Sequence, residues 1–239
     1  MAELPQTLYG RLRDELRALI LDGRLRPDDK LPSEAELTAQ HGVSRITVRQ
    51  ALNDLQKEGL IVKLHGKGAF VAHPRAALHL DRLQGLGEAL ALEGQSVHSR
   101  RLSIKPMAAP AGVARQLGLA AGSPVVQLLT LRYLDRQPLS VNTSWLPQAA
   151  GQRLARIDTA SRDFIDVFER DFGTPVAQAQ LEIRACRTPA REARWLQIEA
   201  GDPALHVERI LLGTDGTPLQ VEGVLYRADA FSYRLTLKR

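Results

Sequence analysis

The second half of the chain repeats itself, and this duplication restricts its fold to two similar halves. Segments beginning at residues 103 and 182 align at a constant offset, 203 − 124 = 79 residues. One inserted residue then shifts the offset to 216 − 136 = 80. A repeat of this length predicts two copies of one structural unit, and we expect a pseudo-two-fold axis between them. The matched pairs include Ile104 with Ile183, Pro110 with Pro189, Arg115 with Arg194, Gly122 with Gly201 and Pro124 with Pro203.

Each copy predicts the same order of elements: a helix, a strand, a short helix opened by proline, and two strands joined by a tight hairpin. The first helices cover residues 83–93 and 163–172, and a last strand covers 231–237. Asp215-Gly216 is the clearest hairpin signal. Strands joined by hairpins and short helices predict a mostly antiparallel sheet with helices packed on it, which is an α+β fold.

The first part of the chain predicts three helices and a hairpin. Residues 7–21 have helical spacing of apolar side chains. Ser33 and Glu36 form a capping-box pattern before a short helix that stops at Gly42. Ser44 caps a third helix that runs to about residue 58. Two strands, 60–64 and 69–72, follow around His-Gly-Lys-Gly. Three helices and a two-stranded wing make a winged helix-turn-helix.

The third helix has two different faces at about 100° per residue. Val48, Ala51, Leu52 and Leu55 form the apolar face, and Arg45, Arg49, Asn53 and Gln56 form the polar one. Guanidinium groups match guanine edges and phosphates. An arginine pair is also common on a solvated helix face, and a Gly-Lys-Gly turn is often only a turn. The order of capped helices, basic face and basic hairpin favours DNA binding.

Charge and cysteine content agree with this prediction. The net charge is +5, and residues 41–74 carry five basic and two acidic side chains, an excess of 5 − 2 = 3. Such a balance permits an anionic partner. The single cysteine, Cys186, excludes an internal disulfide framework and fits a reducing cytoplasm. Because the sequence shows no signal peptide and no membrane-spanning run, we expect a cytoplasmic protein.

The motifs LPSEAEL, VSRITVRQAL and GLIVKLHGKGAFV resemble the GntR family of bacterial transcription regulators, over about residues 7–73. One departure is Ala35, where many members carry arginine. The resemblance implies a DNA-binding domain over residues 1–73, a linker over 74–78 and an effector-binding and dimerisation domain over 79–239. The DNA contacts that it implies are Ser44, Arg45, Thr47 and Arg49 on the recognition helix and His65, Gly66 and Lys67 on the wing.

Polar residues interrupt the apolar pattern of the hairpin strands in the second half. The repeat aligns Asn142 with Glu222, so the two halves place polar groups at equivalent positions. These residues either share a pocket between the halves or face water on the outside of the sheet. The full set is Arg132, Ser140, Asn142, Arg209, Glu222 and Tyr226.

Residues 78–237 are similar to the UTRA domain of the HutC subgroup of GntR regulators, which has a chorismate-lyase-like fold. The similarity rests on LRYLDRQPL, AGDPALHVERI and VEGVLYRADAFSY. Thr130 stands where sugar-phosphate binders often have arginine, and Asp163 stands where many members have serine. An aspartate there either caps the helix or opposes a phosphate and favours an amine. The effector contacts that the resemblance implies are Ser99, Arg132, Asn142, Glu222 and Tyr226.

Together these patterns predict a ligand-responsive, sequence-specific transcription regulator, a repressor that binds a palindromic operator as a homodimer. Its effector is expected to be a sugar phosphate, a phosphonate or another small anion. Two alternatives are an enzyme of chorismate-lyase-like fold joined to a DNA-binding head, and a sequence-tolerant architectural DNA binder. The six histidines are scattered, and no metal, nucleophile or dinucleotide motif is present. We therefore predict no catalytic residues, no metal and no cofactor.

Overall fold

The structure is a computed structural model, and it describes residues 8–64, 66–72, 76–80, 82–91 and 94–237. The chain divides into two compact units, residues 1–75 and residues 76–239. Within the described residues, no helix is both long enough and apolar enough to cross a membrane.

The first unit is the winged helix-turn-helix that the sequence predicts. It contains three helices, α1 (Leu8–Leu21), α2 (Glu34–His41) and α3 (Arg45–Lys57). They are followed by an antiparallel hairpin of β1 (Ile61–Leu64) and β2 (Gly68–Val71). The helix order and the hairpin confirm the fold expected for residues 7–73.

Local capping explains where α2 and α3 begin. The Ser33 hydroxyl accepts a hydrogen bond from the Glu36 amide at 3.3 Å, and the Glu36 carboxylate accepts one from the Ser33 amide at 2.7 Å. This reciprocal pair is the predicted capping box. The bond from the Ser33 backbone amide also lowers the pKa of Glu36. Ser44 accepts from the Thr47 amide at 3.2 Å and caps α3.

The apolar face of α3 forms the centre of the first core. Val48, Ala51 and Leu55 are fully buried there and pack with Leu12 and Leu16 of α1. One feature was missed by the sequence interpretation: residues 28–31 lie along β2. The Leu31 amide donates to the Ala69 carbonyl at 2.9 Å. The strand β2 is therefore paired on both sides, with β1 and with residues 28–31.

The second unit contains the duplicated elements in the predicted order. Its first copy comprises β3 (Ala76–His79), α4 (Leu86–Ala91), β4 (Val97–Ala108), α5 (Ala111–Gln116), β5 (Pro124–Leu134), β6 (Gln137–Pro147) and α6 (Gln148–Leu154). The second copy comprises α7 (Phe164–Asp166) with a π-helical turn (Val167–Asp171), then β7 (Val176–Arg187), α8 (Ala190–Leu196), β8 (Pro203–Gly213), β9 (Pro218–Arg227) and β10 (Phe231–Arg234).

Six of these strands form one antiparallel sheet in the order β4-β5-β6-β9-β8-β7. The order of the second copy is the reverse of the first, as a two-fold axis between β6 and β9 requires. The strand register agrees, because Thr143 lies directly opposite Gly223. These residues are repeat equivalents, since 223 − 143 = 80 is the offset of this segment. The pseudo-two-fold axis therefore passes between them.

Several boundaries differ from the sequence prediction. The predicted linker covers residues 74–78, but Ala76–His79 is strand β3, paired in parallel with β10. Residues 74 and 75 lie outside the described residues. The last strand ends at Arg234, three residues before the predicted end at 237. These differences arise because β3 and β10 come from opposite ends of the unit, so local sequence carries no signal of their pairing.

Helices cover both faces of the six-stranded sheet. On one face, Leu90 of α4, Leu154 of α6 and Phe164 of α7 pack on the strands. We call this the polar face, because Arg132 and Glu222 also lie on it. On the other face, Val113 of α5 and Leu196 of α8 cover the strands. The polar side chains of the hairpin strands are thus enclosed rather than turned to water.

Candidate functional site

The first candidate site is the exposed surface of α3. Its apolar face packs in the core, so the opposite side of its first turns faces outward. Ser44, Arg45 and Arg49 are exposed, and Thr47 is half-buried. The hydroxyls of Ser44 and Thr47 lie 2.9 Å apart. This arrangement presents two guanidinium groups and two hydroxyls at the end of a helix, where side chains reach base edges of a major groove.

The two arginines of α3 differ in their contacts. The Arg49 Nε donates to the Glu34 carboxylate at 2.8 Å, which holds the guanidinium against α2. Arg45 makes no hydrogen bond or ion pair with the described residues. A DNA phosphate or guanine edge would therefore compete with Glu34 for Arg49, but would meet Arg45 without a competitor.

The wing carries the second group of predicted contacts. Gly66 and Gly68 have φ angles of 72° and 110°, in the region that favours glycine. Lys67 between them is exposed. His65, which was also predicted to contact DNA, lies outside the described residues.

One exposed residue of α3 was missed by the sequence interpretation. Ile46 follows Arg45 in the first turn and is 79% exposed, which is unusual for isoleucine. Apolar side chains in this position can contact the thymine methyl group in the major groove. The helical wheel contains the signal, because Ile46 falls outside the apolar face of α3.

The second candidate site is the polar face of the sheet. Arg132, Asn142, Glu222 and Tyr226 are exposed by 6%, 2%, 1% and 4%. The alternative that they face water is therefore wrong. Ser99 is half-buried and lies opposite Arg132 in the β4–β5 register.

Glu222 is the centre of a buried network that crosses the pseudo-two-fold axis. Its Oε1 accepts from Asn142 Nδ2 at 3.0 Å and from Ser144 Oγ at 3.1 Å. Its Oε2 pairs with Arg209 of the neighbouring strand. Asn142 in turn accepts from Ser140 Oγ at 2.7 Å. The predicted equivalents Asn142 and Glu222 are thus bonded directly to each other.

The network keeps Glu222 charged although it is buried. Burial alone raises the pKa of a carboxyl group. Attraction by Arg209 and Arg132, together with the hydrogen bonds from Asn142 and Ser144, outweighs this effect and lowers the pKa of Glu222. Glu222 and Arg209 therefore form a charged but mutually neutralised pair beside the axis.

Tyr226 lies at the edge of this network against β10. Its ring stacks on Phe231 with centroids 3.7 Å apart, and it meets Tyr233 edge-on at 6.3 Å. Burial is the main reason that the pKa of Tyr226 is raised. The phenol therefore remains a hydrogen-bond donor and acceptor.

Of the two roles that the sequence left open for Asp163, the helix cap is not the one found. It occupies the N-cap position of α7, but among the described residues its side chain makes no capping hydrogen bond. Its Oδ1 instead lies 3.1 Å from Arg132 Nη2. Its Oδ2 accepts from the Gly87 amide at 2.9 Å. Asp163 therefore faces the polar site, as the second alternative proposed.

A small cavity lies beside this ion pair. It encloses about 10 Å³, enough for about one water molecule. Asn142, Glu222 and Tyr226 belong to the adjoining network rather than to the cavity wall. The cavity is lined by Ser99, Leu128, Thr130, Arg132, Thr159, Arg162, Phe164 and Val167. The structure thus brings Ser99 and Arg132 together at the cavity and places the other three predicted residues next to it.

Comparison with known proteins identifies the family of this chain. Residues 8–71 match the family model "Bacterial regulatory proteins, gntR family", and residues 92–232 match the UTRA domain. The chain is also 30% identical to the HTH-type transcriptional repressor NagR of Bacillus subtilis, over 96% of this chain and 94% of that one. This chain belongs to the GntR family.

Other members agree with this assignment. The GntR-family chain is 27% identical to the histidine utilization repressor of Pseudomonas aeruginosa, over 87% of this chain and 83% of that one. The crystal structure of PhnF from Mycobacterium smegmatis has a TM-score of 0.74 and 27% identity, and covers 95% of this chain and 99% of that one. The HutC-type, α+β regulator predicted from the sequence is confirmed. The chain is a ligand-responsive, DNA-binding transcription regulator, and its relatives are transcription regulators rather than enzymes.

Proposed function

We propose that this GntR regulator is a homodimeric repressor whose binding to a palindromic operator responds to a small molecule in its second unit. The observation that carries the proposal is the exposed first turn of α3. It presents Arg45 and Arg49 beside a wing that carries Lys67. The names of relatives support repression, since NagR and the histidine utilization repressor are both called repressors.

In this proposal the first unit divides DNA recognition between two elements. Arg45 and Arg49 contact base edges, where a bidentate guanidinium discriminates guanine from other bases. Ser44 and Thr47 contact the DNA backbone or bases at the helix end. Lys67 contacts phosphate, and Gly66 and His65 are proposed as further DNA contacts of the wing. A dimer places two such units on the two halves of a palindrome.

The second unit binds the effector at the polar face of the sheet. Ser99 and Arg132 contact the ligand from the cavity side. Asn142 and Glu222 position or contact it from the network, and Tyr226 closes the site towards β10. We propose that these groups bind without turnover, because the buried charges are already paired with each other. Ligand binding then shifts the population between DNA-binding states.

Operator binding tests the DNA-reading surface. The operator is first selected from random duplex DNA by repeated rounds of binding and amplification. Arg49→Ala then lowers affinity by about 1–3 kcal/mol and relaxes discrimination at one base pair. Arg191→Ala is the matched control, because it removes an equally exposed arginine from α8 in the other unit.

Fluorescence anisotropy with the selected duplex measures both variants across a series of salt concentrations. Lys67→Ala is expected to weaken all sequences equally and to reduce the salt slope by about 1. Unchanged affinity of Arg49→Ala, with Arg191→Ala equally unaffected, would refute recognition by α3. A sedimentation experiment on the free protein tests the dimer, and a monomer at working concentration contradicts it.

A further inference from the structure

The carboxylate of Asp163 occupies the centre of the proposed effector site, where other groups of the chain bind it. One oxygen of Asp163 pairs with Arg132 at 3.1 Å. The other accepts the Gly87 amide at 2.9 Å and the Glu88 amide at 3.4 Å. An arginine and two backbone amides form the type of donor set that holds an anion. The anion that occupies it here is part of the protein.

The backbone around Asp163 fits this carboxylate closely. A Cβ atom on Gly85 would lie 2.2 Å from Asp163 Oδ2, and one on Gly87 would lie 3.0 Å from it. Any side chain at Gly85 would therefore displace the carboxylate. Asp163 itself is only 15% exposed. The two glycines thus allow Asp163 to reach Arg132 and the amides at the same time.

The arginines that line the small cavity, and Arg209 of the Glu222 network, are already paired with carboxylates. Arg209 pairs with Glu222. Arg162, which also lines the cavity, donates to Asp166 at 2.6 Å and to Asp171 at 2.5 Å. Among the described residues that line the cavity, each arginine is therefore already neutralised by carboxylates. A phosphate monoester carries roughly two negative charges. The two buried carboxylates would repel it.

Other buried groups on this face still require polar partners. Within the described residues, Arg209 Nε and both polar atoms of the Gln220 side chain have no hydrogen-bond partner. Gln220 is 0% exposed and lies two positions before Glu222, on the same face of β9. Buried polar groups are normally satisfied. A polar ligand with both donors and acceptors can satisfy them, whereas an apolar one cannot.

We infer that Asp163 is a specificity-determining residue: it fills the anion subsite, excludes phosphate monoesters and selects an unphosphorylated polar effector. This inference rests on the proposed function, that the polar face of the second unit is the effector site. It also changes the effector class expected from the sequence, which included sugar phosphates. Such an effector contacts Ser99, Thr130 and the Glu222 network through hydrogen-bonding groups.

The test removes the internal carboxylate and measures phosphate binding by the full-length protein. Wild type, Asp163→Ser and the double variant Asp163→Ser/Arg132→Ala are titrated with inorganic phosphate and, separately, with glucosamine and glucosamine 6-phosphate, which differ only in the phosphate. Binding is measured by calorimetry, and folding is checked by circular dichroism. Asp163→Asn is a second variant that removes the charge but preserves the shape of the side chain.

We expect the ratio of affinities, glucosamine 6-phosphate over glucosamine, to rise at least tenfold from wild type to Asp163→Ser. Inorganic phosphate should bind to Asp163→Ser at least tenfold more tightly than to wild type, and this gain should be lost in the double variant. The inference is overturned by a wild-type protein that prefers the 6-phosphate, or by variants at Asp163 that gain no affinity for phosphate.

The outcome is separable from the proposed function. A gain of phosphate affinity that depends on Arg132 establishes the anion subsite even if no ligand alters operator binding. Conversely, a small molecule that releases or strengthens operator binding supports the proposed function whether or not Asp163 controls phosphate exclusion.

Discussion

Two ion pairs of the second unit differ sharply in their surroundings. Arg209 and Glu222 form a pair in which the carboxylate side chain is 1% exposed, whereas Arg184 and Glu208 are 50% and 34% exposed. Removing one partner of a buried pair leaves an uncompensated charge, which costs several kcal/mol. An exposed pair contributes little because water screens it. The same chemical contact therefore has different consequences at these two places.

Arg209→Ala is expected to lower the free energy of unfolding of the second unit by about 3–5 kcal/mol. Arg184→Ala, the matched control on the neighbouring strand, should cost less than about 1 kcal/mol. Urea unfolding followed by tryptophan fluorescence measures both, because Trp145 and Trp195, the two tryptophans of the chain, belong to this unit. A loss in Arg209→Ala as small as that expected for Arg184→Ala would show that the buried Glu222 carboxylate does not require Arg209.

Glu222 also predicts a dependence of stability on pH. Its pKa is lowered in the folded state, so the unfolded chain binds more protons as the pH falls. Its contribution is therefore complete above the unfolded value, about 4.3, and is lost as the pH falls through the folded value. Wild type should lose stability below about pH 4, and Glu222→Gln should lose less. Parallel curves for the two proteins, measured by urea unfolding, would contradict this assignment.

At the scale of elements, short helices depend on their caps more than on their length. The helix α2 has 8 residues, and a helix of this length is marginal on its own. Its start is fixed by the reciprocal bonds of Ser33 and Glu36, and its end by Gly42 with φ at 63°. Because α2 also carries Glu34, which holds Arg49, its position affects the DNA-reading surface.

Ser33→Ala is expected to destabilise the first unit by about 1 kcal/mol, since it removes the hydroxyl acceptor of the capping box. Gln40→Ala, an exposed change on the same helix, is the control and should be close to neutral. Amide hydrogen exchange in α1 and α2 measures the loss of protection. Protection that is unchanged in Ser33→Ala would show that packing of Leu37 alone holds the helix.

At the scale of the whole second unit, the duplication does not produce two independent halves. The central strands β6 and β9 come from different copies and pair over Ser140–Trp145. The first strand of the unit, β3, pairs with the last, β10. Separating the copies would expose two long strand edges and open the core on the polar face. The two copies are therefore expected to unfold together.

Each copy contains one tryptophan, which makes this cooperativity measurable. Trp145 lies on β6 of the first copy, and Trp195 lies on α8 of the second. Trp195→Phe leaves a fluorescence signal from the first copy, and Trp145→Phe leaves one from the second. If the copies unfold together, Arg209→Ala, a change in the second copy, is expected to shift the fluorescence midpoint of both single-tryptophan proteins equally. A shift confined to the protein that retains Trp195 would show that the copies unfold separately.

The sequence by itself determined the features that depend on neighbouring residues. Capping pairs three positions apart, the helical spacing around Val48 and the Gly-Lys-Gly turn predict the winged helix-turn-helix. The 79-residue offset between Pro124 and Pro203 predicts the duplicated second unit, and it also aligns Asn142 with Glu222. These signals are local or repeated, so they can be identified without knowing how the chain folds back on itself.

Only the tertiary structure decided which polar groups meet. The strand β3 was assigned to a linker because its partner β10 is more than 150 residues away in the chain. The sequence left the role of Asp163 open, because its donors Gly87 and Arg132 are 76 and 31 residues distant. The enclosed polar face likewise depends on α4, α6 and α7 packing over it. Long-range contacts of this kind leave no periodic or local pattern, because their energies depend on packing between segments that the sequence keeps apart.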